Sequence, residues 1–216
     1  MKTAEIAKNI FLIGGSDLTD PKDCLVYLVD LGDLVMIDSG AGDSVDRIVE
    51  NVEALGYNPQ SLSALILTHC HIDHVGGASA LSKRLGAAIV MHDLDAEVVE
   101  SGDPVRTGAS WYGVRFEPIA VDTRLTDREG TLQFSSGTIS YIHTPGHTPG
   151  SMSLYMDAGG QRVLFGQDIH GPFFEQFGSD IKEWEKSMHR LLELDADILC
   201  EGHFGIYRSP KRVREY

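Results

Sequence analysis

Apolar and polar positions in the first part of the chain predict strands followed by one clear helix. Residues 9–15 (NIFLIGG) and 24–40 (CLVYLVDLGDLVMIDSG) contain apolar runs rich in β-branched residues, which glycines interrupt. The pair Gly32 and Asp33 lies between two of these runs and predicts a hairpin. Apolar residues at helical spacing then predict a helix over 44–56 that ends at a glycine.

The next segments alternate between strand-like and helix-like patterns. Residues 62–68 predict a buried strand, 76–86 a helix and 87–92 another strand. Residues 93–130 show no regular period, and glycine, proline and aromatic residues are concentrated in 100–118. This composition predicts a long loop or lid at 100–118. Long ordered loops are often functional, but a surface loop without a function explains the composition equally well.

The second part of the chain predicts further strands and one long helix. Strand patterns occupy residues 130–134, 138–144, 151–156, 162–166 and 196–202. An amphipathic helix is predicted over 180–195, with Asp180 and Glu183 as a capping pair at its start. Its buried stripe is expected to contain Ile181, Trp184, Met188, Leu191 and Leu192. Two strand-rich parts with helices between them favour the α/β class, with two sheets in the middle and helices outside.

The composition is that of a compact, folded protein with an acidic surface. The chain has 216 residues, of which 42% are hydrophobic and 23% charged, and this length fits one domain over residues 1–216. A net charge of −14 repels phosphate backbones and anionic lipids, so we expect a small-molecule substrate and neither nucleic acid nor a membrane as partner. The three cysteines do not suggest a disulfide framework. No signal-peptide core or membrane-spanning run is seen, so we expect a cytoplasmic protein.

Metal-type ligands are concentrated in the stretch LILTHCHIDHVGG, directly after an apolar run. His69 and His71 project to the same side of an extended segment, whereas Cys70 projects to the other side and is expected to pack. Asp73 and His74 follow where the chain turns into a helix. Imidazole and carboxylate groups suit zinc, iron or manganese, and four such groups so close together in the sequence cannot easily share one ion. We therefore expect two adjacent metal ions, with further ligands from elsewhere in the chain.

Three later strand ends offer such ligands, each beside glycine or proline. His147 lies in IHTPGHTPGS, with His143 as a nearby alternative, Asp168 lies in VLFGQDIHGP, and His203 lies in ILCEGHFG. Any one of them alone is more often a hydrogen-bonded turn residue than a ligand, but their conjunction with the dense cluster favours metal binding. The two oxygens of Asp168 would allow it to bridge two ions. The other histidines are expected not to be ligands: His92, His143, His170 and His189.

The order of these motifs resembles a known family. HCHIDH, TPGHTPGS, GQD and EGH occur in this order over residues 69–203, and VMIDSG precedes them at 35–40. This series resembles the metallo-β-lactamase-fold superfamily, and in particular its glyoxalase II and lactonase-like branch. The resemblance implies an αββα four-layer sandwich, which agrees with the expected arrangement of sheets and helices.

The resemblance also implies a role for each ligand-type residue. It implies that one metal ion is held by His69, His71 and His147, that a second is held by Asp73, His74 and His203, and that Asp168 bridges both. Asp38, in MIDSG, would orient a ligand histidine through a hydrogen bond. Asp73 would accept a proton during the reaction, so Asp73 and Asp168 are the expected catalytic residues.

The implied activity is a hydrolysis that uses two divalent metal ions and a hydroxide bridging them. We expect zinc, with iron or manganese as alternatives. An aspartate at position 168 resembles the thioesterases, lactonases and phosphodiesterases of the superfamily more than its β-lactamases, so we expect a small ester, lactone or thioester as substrate. Three alternatives stay open: a phosphodiesterase, a mononuclear iron oxidoreductase similar to persulfide dioxygenases, and a metal-binding protein with little catalysis.

Aromatic residues and one histidine are the candidates for a substrate pocket. Such a pocket would contain Trp111, Tyr112, His170, Phe173, Phe174 and Tyr207, together with Phe177. Packing of the aromatic residues in the core or at a subunit interface explains them equally well, and a homodimer is left open.

Overall fold

Two β-sheets stack against each other in the computed structural model, which describes residues 3–216. The first sheet has its strands in sequence order: β1 (Ala4–Ala7), β2 (Ile10–Gly14), β3 (Val26–Asp30), β4 (Leu34–Ile37), β5 (Leu62–Leu67), β6 (Ala88–His92) and β7 (Thr123–Leu125). The first four strands pair antiparallel, so the predicted hairpin between β3 and β4 is present. Strands β4 to β7 pair parallel, and they therefore end at the same edge of the sheet.

The second sheet consists of β8 (Glu129–Phe134), β9 (Gly137–His143), β10 (Met152–Ala158), β11 (Gln161–Gln167), β12 (Ile198–Glu201) and β13 (Ile206–Arg208). Its spatial order is β13, β12, β11, β10, β9, β8. Most neighbours are antiparallel, but β12 joins β11 in parallel, with Gln167 opposite Glu201 at their shared end. The residues that follow these two strands therefore lie side by side.

Helices cover the outer face of each sheet. They are α1 (Val45–Ala54), α2 (Ile72–Val75), α3 (Ala78–Leu85), α4 (Asp93–Ser101), α5 (Ala109–Tyr112), α6 (Ile181–Leu192) and α7 (Pro210–Glu215), with short 3-10 turns at Pro59–Ser61 and Glu175–Phe177. Apolar residues of α1, α3 and α4 share a buried cluster with the first sheet, and α6 and α7 pack on the second. The architecture is the predicted αββα sandwich. Among residues 3–216, no helix has the length and apolar character that a membrane span needs.

The strands that lie between the two layers are buried on both faces. In β3, Tyr27 and Val29 face the second sheet, whereas Val26 and Leu28 face the helices, and all of them are fully buried. This double burial explains why the strands read as continuous apolar runs. The Tyr27 ring packs edge-on against Phe165 of β11, at 5.4 Å between centroids, and so joins the two sheets.

Two expectations about the outer elements are corrected. Residues 100–118 are not one long loop, because α4 extends to Ser101 and α5 interrupts the segment that follows. Helix α4 has no clear amphipathic period in the sequence, yet it buries Ala96, Val98 and Val99 against the first sheet. Tertiary packing therefore determines this helix more than its local pattern does.

The buried stripe of α6 is narrower than predicted. Asp180 caps the helix by accepting hydrogen bonds from the amides of Lys182 and Glu183, as the sequence suggests. Leu191 is buried, but Ile181 is 53% exposed and Leu192 45% exposed. At about 100° per residue, both lie roughly 80–100° around the helix from Leu191, at the edge of the contact face.

Candidate metal centre

The ligand-type residues converge because the strands that precede them end at one place. His69 and His71 follow β5, and the short helix α2 begins directly after His71, so Asp73 lies in its first turn. The amide of Met152, at the start of β10, donates to the Thr68 carbonyl at 2.9 Å. This bond places the loop between β9 and β10, which carries His147, beside the end of β5. Asp168 and His203 come from the shared end of β11 and β12.

The structure brings one set of side chains together around a first point, and we call it the first ligand group: His69, His71, His147 and Asp168. One side-chain atom from each lies within 4.8 Å of all the others, and all four residues are buried. His147 Nε2 lies 2.8 Å from His71 Nδ1. Asp168 presents Oδ2 to this group, 3.6 Å from His147 Nε2 and 3.8 Å from His69 Nε2.

A second ligand group adjoins the first and consists of Asp73, His74, Asp168 and His203. Here Asp168 presents its other oxygen, because Oδ1 lies 3.2 Å from His74 Nε2 and 3.3 Å from His203 Nε2. Asp73 Oδ2 lies 3.2 Å from His203 Nε2 and 3.7 Å from His74 Nε2. Asp168 is therefore common to both groups, with one oxygen toward each.

Several polar atoms at this centre have no hydrogen-bond partner among the described residues. They include His69 Nε2, His71 Nε2 and Asp168 Oδ1, all of them buried. Burying a polar atom without a partner costs about 1–3 kcal/mol, so such atoms are rare in folded proteins. Ring nitrogens and carboxylate oxygens are ligand atoms for zinc and other divalent transition metals. The residues present therefore fit divalent metal ions.

The electrostatic surroundings of the histidines differ between the two groups. Burial and the neighbouring His147 lower the pKa of His71 to about 3, and burial and His74 lower the pKa of His69 well below its usual range. Burial opposes the charged form of His203 too, but the carboxylates of Asp168 and Asp73 outweigh it and raise its pKa to about 10. The first group thus holds neutral imidazoles, the form that binds metal, whereas in the second group the carboxylates favour the protonated form of His203.

Asp38 orients His74 through a hydrogen bond on the side of the ring that faces away from the ligand groups. This fully buried carboxylate accepts a hydrogen bond from His74 Nδ1 at 2.8 Å, so that Nε2 faces the centre. The amide and the hydroxyl of Thr68 also donate to it at 2.8 Å, and Gln167 Nε2 donates to it as well. Asp38 has a positive φ of 60°, which an aspartate adopts at some cost in backbone strain. The contact with His74 is the one expected for Asp38, whereas Gln167 was not anticipated.

His147 is held in a similar way by the backbone. Its Nδ1 donates to the carbonyl of Pro172 at 2.8 Å, which turns Nε2 toward the first ligand group. Gly146 precedes it with φ of 148°, and a side chain there would lie 2.5 Å from the Cα of Trp184 at the start of α6. The loop that carries His147 is therefore packed directly on that helix.

Glu201 is a buried carboxylate that sequence reasoning missed. One of its oxygens pairs with His170 Nδ1, and the other accepts the amides of His203 at 2.6 Å and Phe204 at 2.7 Å. It therefore fixes both His170 and the turn that carries His203. In the sequence it is the last residue of a strand, and the EGH motif that contains it suggests a role for His203 alone.

A cavity of about 290 Å³ opens beside both ligand groups. Apart from the ligands, it is lined by Thr107, Gly108, Trp111, Tyr112, His170, Pro172 and Phe177. Four of these are predicted pocket residues: Trp111, Tyr112, His170 and Phe177. Burial, together with the charge of Asp73, raises the pKa of Tyr112, so its hydroxyl stays protonated.

The other predicted pocket residues lie outside this lining. The Phe173 ring packs on Trp184 at 5.5 Å and faces His147, and Phe174 lies behind Trp111 with 5.0 Å between their ring centroids. Tyr207 lies against Tyr216, 4.4 Å between ring centroids, in a separate surface pocket. The structure thus gives no support to the expected place of Tyr207 beside the substrate.

The residues expected not to be ligands lie outside both groups. Cys70 is buried in the core of the first sheet, and burial together with the charge of Asp95 raises the pKa of its thiol. His143 donates from Nε2 to the Pro149 carbonyl at 2.8 Å and stacks on His92. His189 is exposed on α6.

Comparison with known sequences identifies the family. The sequence model of the metallo-beta-lactamase superfamily matches residues 19–203. The probable metallo-hydrolase YflN of Bacillus subtilis is 28% identical over 211 residues, which cover 83% of this chain and 78% of that protein. The hydroxyacylglutathione hydrolase GloC of Haemophilus influenzae is 30% identical over 150 residues, covering 68% of this chain and 66% of that protein.

Solved structures agree with this result. A class B3 di-zinc metallo-beta-lactamase from an Alaskan soil metagenome matches with a TM-score of 0.79 and 26% identity, over 94% of this chain and 78% of its own. A B3 metallo-beta-lactamase with an active-site glutamic acid matches with a TM-score of 0.82 and 24% identity, over 100% of this chain and 86% of its own, and supports the fold alone. Both the sequence family and the fold were predicted. The chain is a metal-dependent hydrolase of the metallo-beta-lactamase superfamily.

Proposed function

We propose that this protein is a dinuclear metal hydrolase that cleaves a small ester, lactone or thioester. The observation that carries the proposal is the position of Asp168, which offers Oδ2 to the first ligand group and Oδ1 to the second. A carboxylate shared in this way is the natural bridge between two ions. One ion would be held by His69, His71 and His147 and the other by Asp73, His74 and His203, with Asp168 between them.

Zinc is the metal that this set of ligands suits best, with iron or manganese as alternatives. A pair of divalent ions at such a site lowers the pKa of water toward neutrality and polarises the oxygen of the bond under attack. The chain supplies the orientation: Asp38 fixes His74, Pro172 fixes His147, and Glu201 fixes the turn at His203. Hydrogen bonds of this kind fix the ring orientation and raise the basicity of the ligands.

Asp73 and His170, which both line the cavity, would accept the proton and contact the substrate respectively. Asp73 is ionised, because the neighbouring His74 and His203 outweigh its burial and lower its pKa, so it can accept a proton from the attacking water. Tyr112, whose pKa is raised by burial and by the charge of Asp73, keeps a protonated hydroxyl in the same cavity. His170, held at Nδ1 by Glu201, has its second ring nitrogen available for a substrate oxygen.

The size and walls of the cavity support a small acyl substrate. Its volume of about 290 Å³ is at the lower end of the usual range for ligand pockets, which begins near 300 Å³. Trp111 and Phe177 form an aromatic wall, with 5.1 Å between their ring centroids. An apolar wall opposite charged ligands suits a molecule with a short apolar part next to a carbonyl group.

A substrate panel tests this proposal. Wild-type protein and Asp168→Ala are assayed with lactones, thioesters, simple esters and phosphodiesters, and Asp157→Ala, at an exposed aspartate of β10, is the matched control. We expect turnover of at least one carboxylic ester class, a loss of at least about 100-fold in kcat/KM for Asp168→Ala, and wild-type activity for the control. Full activity and metal content in Asp168→Ala would show that this residue is not the bridge. Turnover of phosphodiesters alone would exclude the proposed substrate class.

A further inference from the structure

A second fully buried carboxylate lies near the centre but belongs to neither ligand group. Asp95, the third residue of α4, is 0% exposed. Its Oδ2 accepts the amide of Cys70 at 2.9 Å and the hydroxyl of Thr148 at 2.6 Å, and its Oδ1 accepts the amide of Gly150 at 2.7 Å. Within residues 3–216, no basic side chain forms an ion pair with it. These hydrogen bonds are therefore what stabilises its charge.

The donors to Asp95 come from two separate ligand-bearing segments. Cys70 stands between His69 and His71, and Thr148 directly follows His147. One carboxylate on a helix of the first sheet thus binds the segment after β5 and the loop between β9 and β10. Those segments supply the three histidines of the first ligand group.

Asp95 packs closely against the loop between β9 and β10. A side chain at Gly150 would lie 2.5 Å from both the backbone nitrogen and Oδ1 of Asp95, so only glycine allows this approach. The second ligand group has other supports, because Asp38 holds His74 and Glu201 holds the turn at His203. The donors to Asp95, in contrast, all belong to the two segments that carry the histidines of the first ligand group.

We propose that Asp95 is a positioning residue for the first ligand group. It sets the distance between the His69–His71 segment and His147, and so sets the affinity for the metal ion that those histidines bind. The inference rests on the proposed function, since it assumes that the two groups hold metal ions. A merely structural role for Asp95 would destabilise the whole fold and would weaken both sites together.

Metal binding to Asp95→Asn tests the inference. The substitution keeps the shape of the side chain but removes its charge and gives it a donor facing the Cys70 and Thr148 donors. Zinc is titrated into metal-free protein against a chromophoric chelator, and Glu97→Gln, at an exposed residue of the same helix, is the control. We expect one of two dissociation constants to rise about 10- to 100-fold, the other to change less than about threefold, and neither to change in the control.

A second pair of variants keeps the inference testable if Asp95→Asn does not fold. Thr148→Val removes one hydroxyl donor to Asp95, and Thr148→Ser keeps it. We expect Thr148→Val to weaken the same single constant about 3- to 10-fold and Thr148→Ser to bind as the wild type does. Unchanged constants in Asp95→Asn, equal weakening of both constants, or identical behaviour of the two Thr148 variants would overturn the inference.

The outcome is distinguishable from a failure of the proposed function. If the wild-type protein binds only one zinc ion, the dinuclear proposal fails, and Asp95→Asn must then weaken that one site for the inference to stand. If it binds none, the claim about metal affinity fails together with the proposed function, and hydrogen exchange in the metal-free protein tests whether Asp95 positions the two segments. Faster exchange of the Cys70 and Gly150 amides in Asp95→Asn, without a change at His203 and Phe204, supports that positioning role, and unchanged exchange contradicts it.

Discussion

Buried carboxylates at the centre have two different surroundings, and these distinguish the candidate ligands from the residues that support them. Asp73 and Asp168 face histidine ring nitrogens at 3.2–3.8 Å. Asp38, Asp95 and Glu201 instead accept backbone amides and side-chain donors at 2.6–2.9 Å and are fully buried. The supports lie behind the ligands and determine where the ligands point.

Replacing Asp38 tests one such support. Asp38→Asn changes the partner of His74 Nδ1 and places a donor opposite the donors of Thr68. We expect zinc binding by the second ligand group to weaken about 10- to 100-fold, which is the usual effect of losing such a hydrogen bond. Competition titration of metal-free protein measures this. Asp43→Asn, in an exposed pair with Lys22, is the control, and equal affinity in both variants would rule out the role of Asp38.

The convergence of the ligand-type residues could be predicted from the sequence, whereas most of the residues that support them could not. Metal binding requires particular residue types, so His69, His71 and Asp73 form a recognisable spacing, and the later motifs complete it. Asp95 belongs to no recognisable motif, because its partners are the Cys70 amide, 25 positions away, and the Gly150 amide, 55 positions away. Contacts with backbone groups leave no trace in residue type, so only the folded chain reveals them.

At the scale of elements, α6 packs closely on the loop that carries His147. Gly146→Ala would place a methyl group 2.5 Å from the Trp184 Cα, so the loop or the helix must move. We expect a loss of about 1–3 kcal/mol in the free energy of unfolding and weaker metal binding by the first ligand group. Chemical denaturation and zinc titration measure the two effects.

The control for Gly146→Ala separates crowding from backbone strain. Gly160 also has a positive φ, 81°, but a side chain there would meet no atom within 4 Å. Gly160→Ala should therefore cost only about 1 kcal/mol, the strain of the left-handed backbone, and leave zinc affinity unchanged. Equal effects of the two substitutions on zinc affinity would disprove the importance of the α6 contact.

The junction of β6 and α4 predicts a pH dependence of stability. His92 caps α4 by accepting the amide of Leu94 at 3.4 Å, and its ring stacks on His143 with 3.9 Å between centroids. Burial, followed by the neighbouring His143, lowers the pKa of His92 from 6.5 to about 4, although Asp93 acts in the opposite direction. The unfolded chain therefore binds more protons between these values, so this contribution to stability is complete above pH 6.5 and is lost as pH falls toward 4.

Urea denaturation at several pH values measures this contribution in the metal-free protein. His92→Asn keeps a capping acceptor but does not titrate, so its stability should fall less steeply between pH 6.5 and 4 than that of the wild type. Between pH 6.5 and 4, we expect the wild type to lose about 1 kcal/mol more free energy of unfolding than His92→Asn, after solvent screening is allowed for. Parallel curves would contradict the assignment.

Helices and strands could be predicted where the periodic pattern of apolar residues in the sequence is strong. Strands β3, β4 and β5 are largely buried on both faces and consist mostly of apolar residues, so they are visible in the sequence. Helix α4 was missed because it packs through small and β-branched residues and carries acidic groups on the rest of its surface. The stripe of α6 was overestimated, because a periodic pattern does not state how wide the contact with the sheet is.

For the whole molecule, the site joins the two sheets. The first sheet supplies His69, His71, Asp73 and His74, and the second supplies His147, Asp168 and His203. Metal ions bound to ligands from both sheets would connect the two layers of the sandwich. They would also stabilise the folded state by mass action, since the unfolded chain does not hold these ligands together.

Removal of metal should therefore lower the melting temperature. At a free metal concentration about 1,000 times the dissociation constant, binding adds about 4 kcal/mol, which corresponds to roughly 8–16 °C for a chain of this size. Differential scanning calorimetry with and without a chelator measures the shift. Asp168→Ala should show a clearly smaller shift, and an equal shift in that variant would argue against ligation by Asp168.

Metal stoichiometry tests the central claim, that the two ligand groups form a dinuclear hydrolytic centre, most directly. Protein purified without added metal is analysed for metal content by mass spectrometry, and the same sample is assayed for ester, lactone and thioester hydrolysis and for oxygen consumption with a persulfide. The account predicts two divalent ions per chain, zinc first among them, with hydrolysis and no oxygen uptake. One iron per chain, with oxygen consumption and no hydrolysis, would contradict it.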